Sequence, residues 1–146
     1  MIIKTFDAFN RMSFLTINRI TKFLHQHLED CNDDKSAIRQ SLLYAAKEVP
    51  GLGGYAFITK DKGMIVGAVV VNKTGMKDYH PENLLVYLAV HKEYRNKGIA
   101  TKLLNEATKY CNGNFSLRIP KKSSAISIFE KNGFTSEKIQ MTLYKN

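Results

Sequence analysis

The chain has 146 residues, 44% of them hydrophobic and 24% charged, a balance that fits one soluble globular domain able to bury a core without disulfides or metal. No window approaches the roughly 18 apolar residues of a membrane-spanning helix, and the opening MIIKTFDAFNRM lacks the order of a secretory leader, so a cytoplasmic location with no membrane partner is expected. Lysine and arginine number 22 against 13 acids, and the net charge of +9 points to an anionic partner.

In chain order, residues 2–7 alternate weakly and suggest a first strand. From Thr16, the residues Ile17, Ile20, Leu24, Leu28 and Cys31 recur at spacings of three and four, one face of a helix. DCNDDKS interrupts it, and Asp33 or Asp34 is placed to cap a second helix striped by Ile38, Leu42, Ala45 and Val49 and stopped by Pro50 and Gly51. GGYAFITKDKGMIVGAVVVNKTG reads as a β-hairpin turning at KDKG. MKDYHPEN is a polar loop, and LLVYLAV is a continuous apolar run, as expected of a strand covered on both faces. Ile99, Leu103, Leu104, Ala107 and Cys111 form a third helical stripe. NFSLRIP is a strand, Ser123 or Ser124 caps a short helix ended by Gly133, and IQMTLYK alternates as a last strand. The order β-αα-ββ-β-α-β-α-β, without repeat or linker, predicts a single domain over residues 1–146: an α/β fold with a central mixed, twisted sheet flanked by helices on both faces.

The charge is not evenly spread. Between His91 and Lys122 eight cations face two acids, a local excess of six. Cys31 and Cys111 have no partner at metal-ligand spacing and read as reduced structural thiols. His25 and His27 stand two apart on a helix, on different faces, and the other histidines show no ligand spacing, so no metal is expected. GLGG at Gly51–Gly54 precedes a strand rather than a helix, which excludes a dinucleotide fingerprint, and no GxxxxGK[ST] is present.

The stretch VYLAVHKEYRNKGIATKLL is a strand–turn–helix unit. The first N–H groups of a helix lack intrahelical partners and carry the positive end of its dipole, so a turn that gathers them makes an anion site. Gly98 lets the backbone approach a phosphate, Ala100 keeps the surface small, and Arg95 and Lys97 add charge. Arg95-Asn96-Lys97-Gly98-Ile99-Ala100, placed after an apolar strand, resembles the [RQ]-x-x-G-x-[GA] motif of the GNAT acetyltransferase superfamily. SAISIFEKNGF, from Ser124 to Phe134, resembles the helix and Y-E-K-x-G-F ending that follow it in that family.

The resemblance implies an enzyme, an acetyl-coenzyme A-dependent N-acetyltransferase that moves the acetyl group directly to an amine. It implies that Arg95, Asn96, Lys97, Gly98, Ile99, Ala100 and Thr101 hold the pyrophosphate, that Leu88, Ala89 and Val90 bond the pantetheine arm, and that Ser124 and Phe129 line the cofactor. Phe129 stands where many members carry a tyrosine that protonates the leaving thiolate, and it has no hydroxyl; Tyr87 and Tyr144 are the candidate substitutes. An alkylamine with a pKa near ~10.4 is neutral in roughly one molecule in a few thousand at pH 7, so a general base is required. Glu82, just before the central strand, is the candidate, ahead of Glu93, His80 and His91, and with Asp78 it gives the MKDYHPEN loop a pull on a cationic amine. The acceptor, small molecule or protein, is left open, as is the choice of monomer or homodimer. The alternative is a coenzyme A-binding sensor or interaction module without chemistry, and a nucleic-acid partner is not expected, because no recognition helix or aromatic basic stripe is present.

Overall fold

A computed structural model describes residues 1–145. The elements run β1 (Ile3–Phe6), α1 (Phe14–His27), α2 (Lys35–Ala45), β2 (Gly54–Asp61), β3 (Met64–Lys73), β4 (Asn83–Val90), a 3₁₀ turn (Lys92–Tyr94), α3 (Ile99–Tyr110), β5 (Phe115–Leu117) and α4 (Ile126–Lys131). The strands form one sheet in sequence order, antiparallel from β1 to β4 and parallel between β4 and β5. The expected mixed α/β architecture is therefore present.

Strand alternation divides the core in two. Ala56, Ile58, Ala68, Val70, Tyr87 and Ala89 face α1 and α2, meeting Ile17, Ile20, Leu24, Ile38 and Leu42. Phe57, Val69, Val71, Leu85 and Val90 face α3, meeting Ile99, Leu103, Leu104, Ala107 and Cys111. The hairpin turns on Lys62 (φ 53°) and Gly63 (φ 77°), the paired positive φ angles of a two-residue loop matched to strand twist. Gly67 on β3 sets how close α3 lies: a Cβ there would stand 2.7 Å from Leu103 Cδ1 and 2.9 Å from Ile99 Cγ2.

Several expected boundaries move. α1 ends at His27, so Cys31 belongs to the following loop. Asp34, not Asp33, caps α2 by accepting from the Ala37 N–H at 2.9 Å. That helix stops at Ala45, short of Val49 and Pro50, because Lys47 takes a left-handed conformation (φ 59°) and Arg11 satisfies the Ala46 carbonyl at 2.8 Å. β5 stops at Leu117, before Pro120. Neither serine is the N-cap of α4: Ala125 is, and it has no side-chain cap bond. Gly133, with φ 92°, does end α4; its N–H donates to the Glu130 carbonyl and the Phe134 N–H to that of Phe129. The last expected strand is absent among the described residues. IQMTLYK follows α4 without regular structure, its Ile139, Met141, Leu143 and Tyr144 exposed. Alternation alone does not make a strand, and β5, at the edge of the sheet, is only three residues long.

Candidate active site

The turn between β4 and α3 is held from four sides. The His91 N–H donates to the Val66 carbonyl at 2.8 Å, continuing the ladder with β3. The Tyr94 hydroxyl donates to Asp61 Oδ2 at 2.6 Å, tying the 3₁₀ turn to the hairpin. The Lys92 N–H donates to His27 Nδ1 at 3.2 Å, and the His27 ring lies 4.2 Å from that of His91. Burial first, and then the positive charges of Lys92 and Arg95 and the neighbouring His91, hold the His27 pKa below its ordinary value, so the ring keeps its acceptor lone pair. Arg95 is the fourth brace. Its Nε donates to the Val90 carbonyl (3.2 Å), Nη2 to the His27 carbonyl (2.8 Å), and Nη1 pairs with Glu29.

This braced turn presents backbone rather than side chain. Asn96 and Gly98 have φ angles of 63° and 80°, and Gly98 enters α3 with no side-chain cap. The first helical bond runs from the Lys102 N–H to the Gly98 carbonyl, which leaves the Ile99, Ala100 and Thr101 N–H groups without intrahelical partners. A Cβ built on Gly98 meets nothing within 4 Å, so the space in front of these donors is open. The charge expected there is smaller than composition suggests, because Arg95 faces inward to Glu29. Lys97 remains exposed, its Nζ 5.2 Å from the Tyr94 ring centroid.

The strand leading into the turn is irregular in a second way. Leu85 and Tyr87 pair with the successive residues Val71 and Val70, so Val86 is an extra residue, a β-bulge. The bulge turns both Val86 and Tyr87 toward α1 and α2, while Leu85 and Leu88 face α3. On the other edge, β5 pairs only with Asn83, Leu84 and Leu85. From Val86 to Val90 that edge of β4 has no strand partner among the described residues, and the sheet is split there. Leu88 and Ala89 lie along the split as expected, whereas the Val90 carbonyl is already engaged by Arg95. Across it, Ser124 is held by the α1–α2 loop: its Oγ donates to Glu29 Oε2 at 3.1 Å and its N–H to Asp30 Oδ2 at 3.4 Å. Phe129 is buried against the α3 face and packs edge-on to Phe134, with ring centroids 5.6 Å apart.

The other sequence candidates separate. Tyr87 reaches the split, but its hydroxyl donates to Asp33 Oδ2 at 2.6 Å. Burial and this bond push its pKa far up, so the phenol holds its proton. Tyr144 is exposed in the irregular C-terminal stretch. Glu82 accepts from the Asn114 N–H at 3.2 Å, at the start of β4 and about 25 Å of strand from the Gly98 turn at ~3.3 Å per residue. With Asp78, His80 and Lys138 it lines a separate cleft of about 220 Å³. A larger cleft of about 470 Å³ lies on the outer side of α1 and α2, lined by Lys22, Lys35 and Arg39, and is no part of the split. Asp33 escaped the sequence reading as a site residue; it stood there as a helix cap, and only the fold carries it 54 residues along the chain to Tyr87. Burial pushes the Cys111 thiol up to about 12, and Cys31 is raised for the same reason, which leaves neither as a nucleophile. Among the described residues no cluster of three or more ligating side chains forms a metal site.

The chain that forms this split sheet and turn matches a family model. The model describes an acetyltransferase (GNAT) domain and covers residues 53–136, more than half of the chain. The chain belongs to the GNAT acetyltransferase family. Among solved structures, a possible acetyltransferase from Clostridium difficile 630 superposes with a TM-score of 0.69 at 18% identity, covering 100% of this chain and 99% of the other. An aminoglycoside acetyltransferase from an uncultured soil metagenomic sample, in complex with sisomicin, gives 0.62 at 16% identity, over 99% and 95%. An aminoglycoside N-acetyltransferase in complex with CoA gives 0.66 at 12% identity, over 99% and 95%. No curated protein matches by sequence. For this acetyltransferase the structural likenesses establish the fold; its ligands rest on its own residues. No helix among the described residues is long and apolar enough to cross a membrane.

Proposed function

We propose that this acetyltransferase uses acetyl-coenzyme A and passes the acetyl group directly to an amine. The observation that carries the reading is the junction of two features: the unpaired edge of β4 from Val86 to Val90, and the free N–H groups of Ile99, Ala100 and Thr101 at its end. Both fit the donor. A pyrophosphate needs several donors in a concave, water-accessible place, and the Gly98 turn supplies them with no Cβ in the way. An amide-bearing arm needs a strand edge with unused hydrogen-bonding groups; the register turns those of Leu88 to the open edge, whereas Ala89, opposite Ala68, turns its own to β3.

Acetyl-coenzyme A supplies an acyl thioester with a good leaving group. The chain's part is to bind, orient and manage protons. The Asn96–Thr101 backbone fixes the phosphate end, with Lys97 adding charge, and the β4 edge aligns the rest toward the bulge. Ser124 and Phe129 close the α4 side. Direct transfer is favoured over a covalent acetyl-enzyme, because both thiols are held protonated by burial. Phe129 brings no proton to the leaving sulfur, which departs as thiolate and is protonated by solvent.

The test is titration calorimetry with acetyl-coenzyme A, followed by thiol release over a panel of primary amines, amino-terminal peptides and aminoglycosides. Micromolar binding with turnover of at least one amine is expected. Binding without turnover on any amine would support instead a coenzyme A-sensing module, and no binding would end both readings.

A further inference from the structure

Resting on that reading, the geometry points to Asp33 as the carboxylate that takes the proton from the acceptor amine, held in place by Tyr87. Tyr87 is the residue just past the β4 bulge, two positions beyond the last pairing with β5, and so it stands where the sheet opens. Its side chain leaves β4 on the α1–α2 face, opposite the face covered by α3. The hydroxyl, 8% exposed as part of the whole residue, ends on Asp33 Oδ2 at 2.6 Å. One carboxylate oxygen is thereby fixed, the Cys31 thiol lies within reach of the same carboxylate, and Asp33 itself is exposed.

The neighbouring acids are occupied elsewhere. Glu29 pairs with Arg95 and accepts from Ser124, Asp30 accepts from the Ser124 N–H, and Asp34 caps α2. Among the described residues Asp33 is the acid of this loop whose partner is an uncharged hydroxyl on the split strand. The groups around it are consistent with a proton acceptor. Tyr87 stays protonated and donates, Cys31 on the same loop is kept as a thiol by burial, and Arg118, just beyond β5, lies close enough to act on the Tyr87 phenol. Glu82, the candidate from sequence, is bonded to the Asn114 N–H at the far end of β4.

The step balances as follows. An alkylammonium beside Asp33 gives one proton to the carboxylate, which later releases it to water. The nitrogen lone pair bonds to the acyl carbon, the carbon–sulfur bond breaks, and its electron pair leaves on sulfur as thiolate. The second proton lost by nitrogen equals the one the thiolate takes from solvent, so acetamide, thiol and one net proton result. The acceptor class is therefore a primary amine that arrives as a cation.

The test is Asp33→Asn, which keeps an oxygen for the Tyr87 hydroxyl, with Glu82→Gln as control. Acetyl-coenzyme A affinity by calorimetry should match wild type in both. At pH 7 Asp33→Asn should lose about 100-fold in kcat/KM on the best amine of the panel, within the range of a general base. The loss should shrink to within a few-fold at pH 9.5, where roughly one alkylamine in ten is already neutral. Tyr87→Phe should lose several-fold at pH 7 and recover in the same way at pH 9.5, because it acts through the placement of the same carboxylate, and Glu82→Gln should lose nothing. A second readout needs no turnover: with coenzyme A bound, 1,4-diaminobutane should shift the Tyr87 ring resonances of wild type and leave those of Asp33→Asn in place. An Asp33→Asn defect equal at both pH values, no defect at all, or the same diamine shift in both proteins overturns the assignment. If no amine is turned over, the proposed function fails separately, and the diamine shift alone decides whether Asp33 receives the cation.

Discussion

Replacing Gly98 by aspartate should separate folding from donor binding. In folding terms the site is forgiving. The new Cβ meets nothing within 4 Å, so no neighbour is displaced. The backbone at φ 80° costs an L-residue about 1–2 kcal/mol, with Asp among the residues that tolerate it best. A carboxylate at the start of α3 recovers about 0.3–1 kcal/mol from the helix dipole. The net is about 1 kcal/mol or less, a shift of roughly 3 °C in Tm for a chain of this size. Binding should respond very differently. The carboxylate occupies the space in front of the Ile99, Ala100 and Thr101 N–H groups and repels a phosphate. Losing one or two hydrogen bonds to a charged ligand, at about 1.5–3 kcal/mol each, weakens affinity roughly 10-fold to several hundred-fold or more. Thermal melts and calorimetry with acetyl-coenzyme A on the same preparations check this. Equal affinity for wild type and Gly98→Asp would refute the assignment of this turn to the donor, and a Tm loss above about 10 °C would refute the statement that the glycine faces open space.

Arg95→Lys should behave as a structural loss, because an ammonium cannot reach the Val90 and His27 carbonyls and Glu29 together; two hydrogen bonds at about 0.5–1.5 kcal/mol each predict a drop of roughly 1–3 kcal/mol in denaturant stability. His27 gives the fold an acid limb. Its folded pKa lies below the ordinary 6.5, so its contribution is complete above about pH 6.5 and is lost as pH falls from there through the folded value. Melting temperatures between pH 7.5 and 5 should fall in wild type and fall less in His27→Asn, which keeps an acceptor for the Lys92 N–H; parallel curves would show that another group carries the effect.

How far sequence reached can be judged residue by residue. The stripes Ile17–Leu24 and Ile99–Ala107 are buried where periodicity put them, because a helix packed on a sheet must hide one face and the pattern is local. Gly98 was found for the same reason: strand, turn and helix start lie within twenty residues. What failed was whatever depended on distant partners. IQMTLYK has the alternation of a strand but pairs with none of the sheet, whose β5 edge is three residues long. Arg95 looked like a cation for the ligand, and only the return of α1 beneath the turn shows its charge given to Glu29. Asp33 was read as a possible cap and Tyr87 as a substitute acid for the thiolate, and neither reading contains the hydrogen bond between them. The correction changes the electrostatics of the site. In the sequence, the N–H groups of the turn were joined by the full charges of Arg95 and Lys97, within a local excess of six from His91 to Lys122. With Arg95 turned inward, the open end of the turn is mostly backbone, and the acids of the α1–α2 loop border the same split from the other side. On the proposed function, an ammonium would arrive at the acids of this loop by the bulge, and the phosphates would lie at the start of α3, about 15 Å further along the strand at ~3.3 Å per residue.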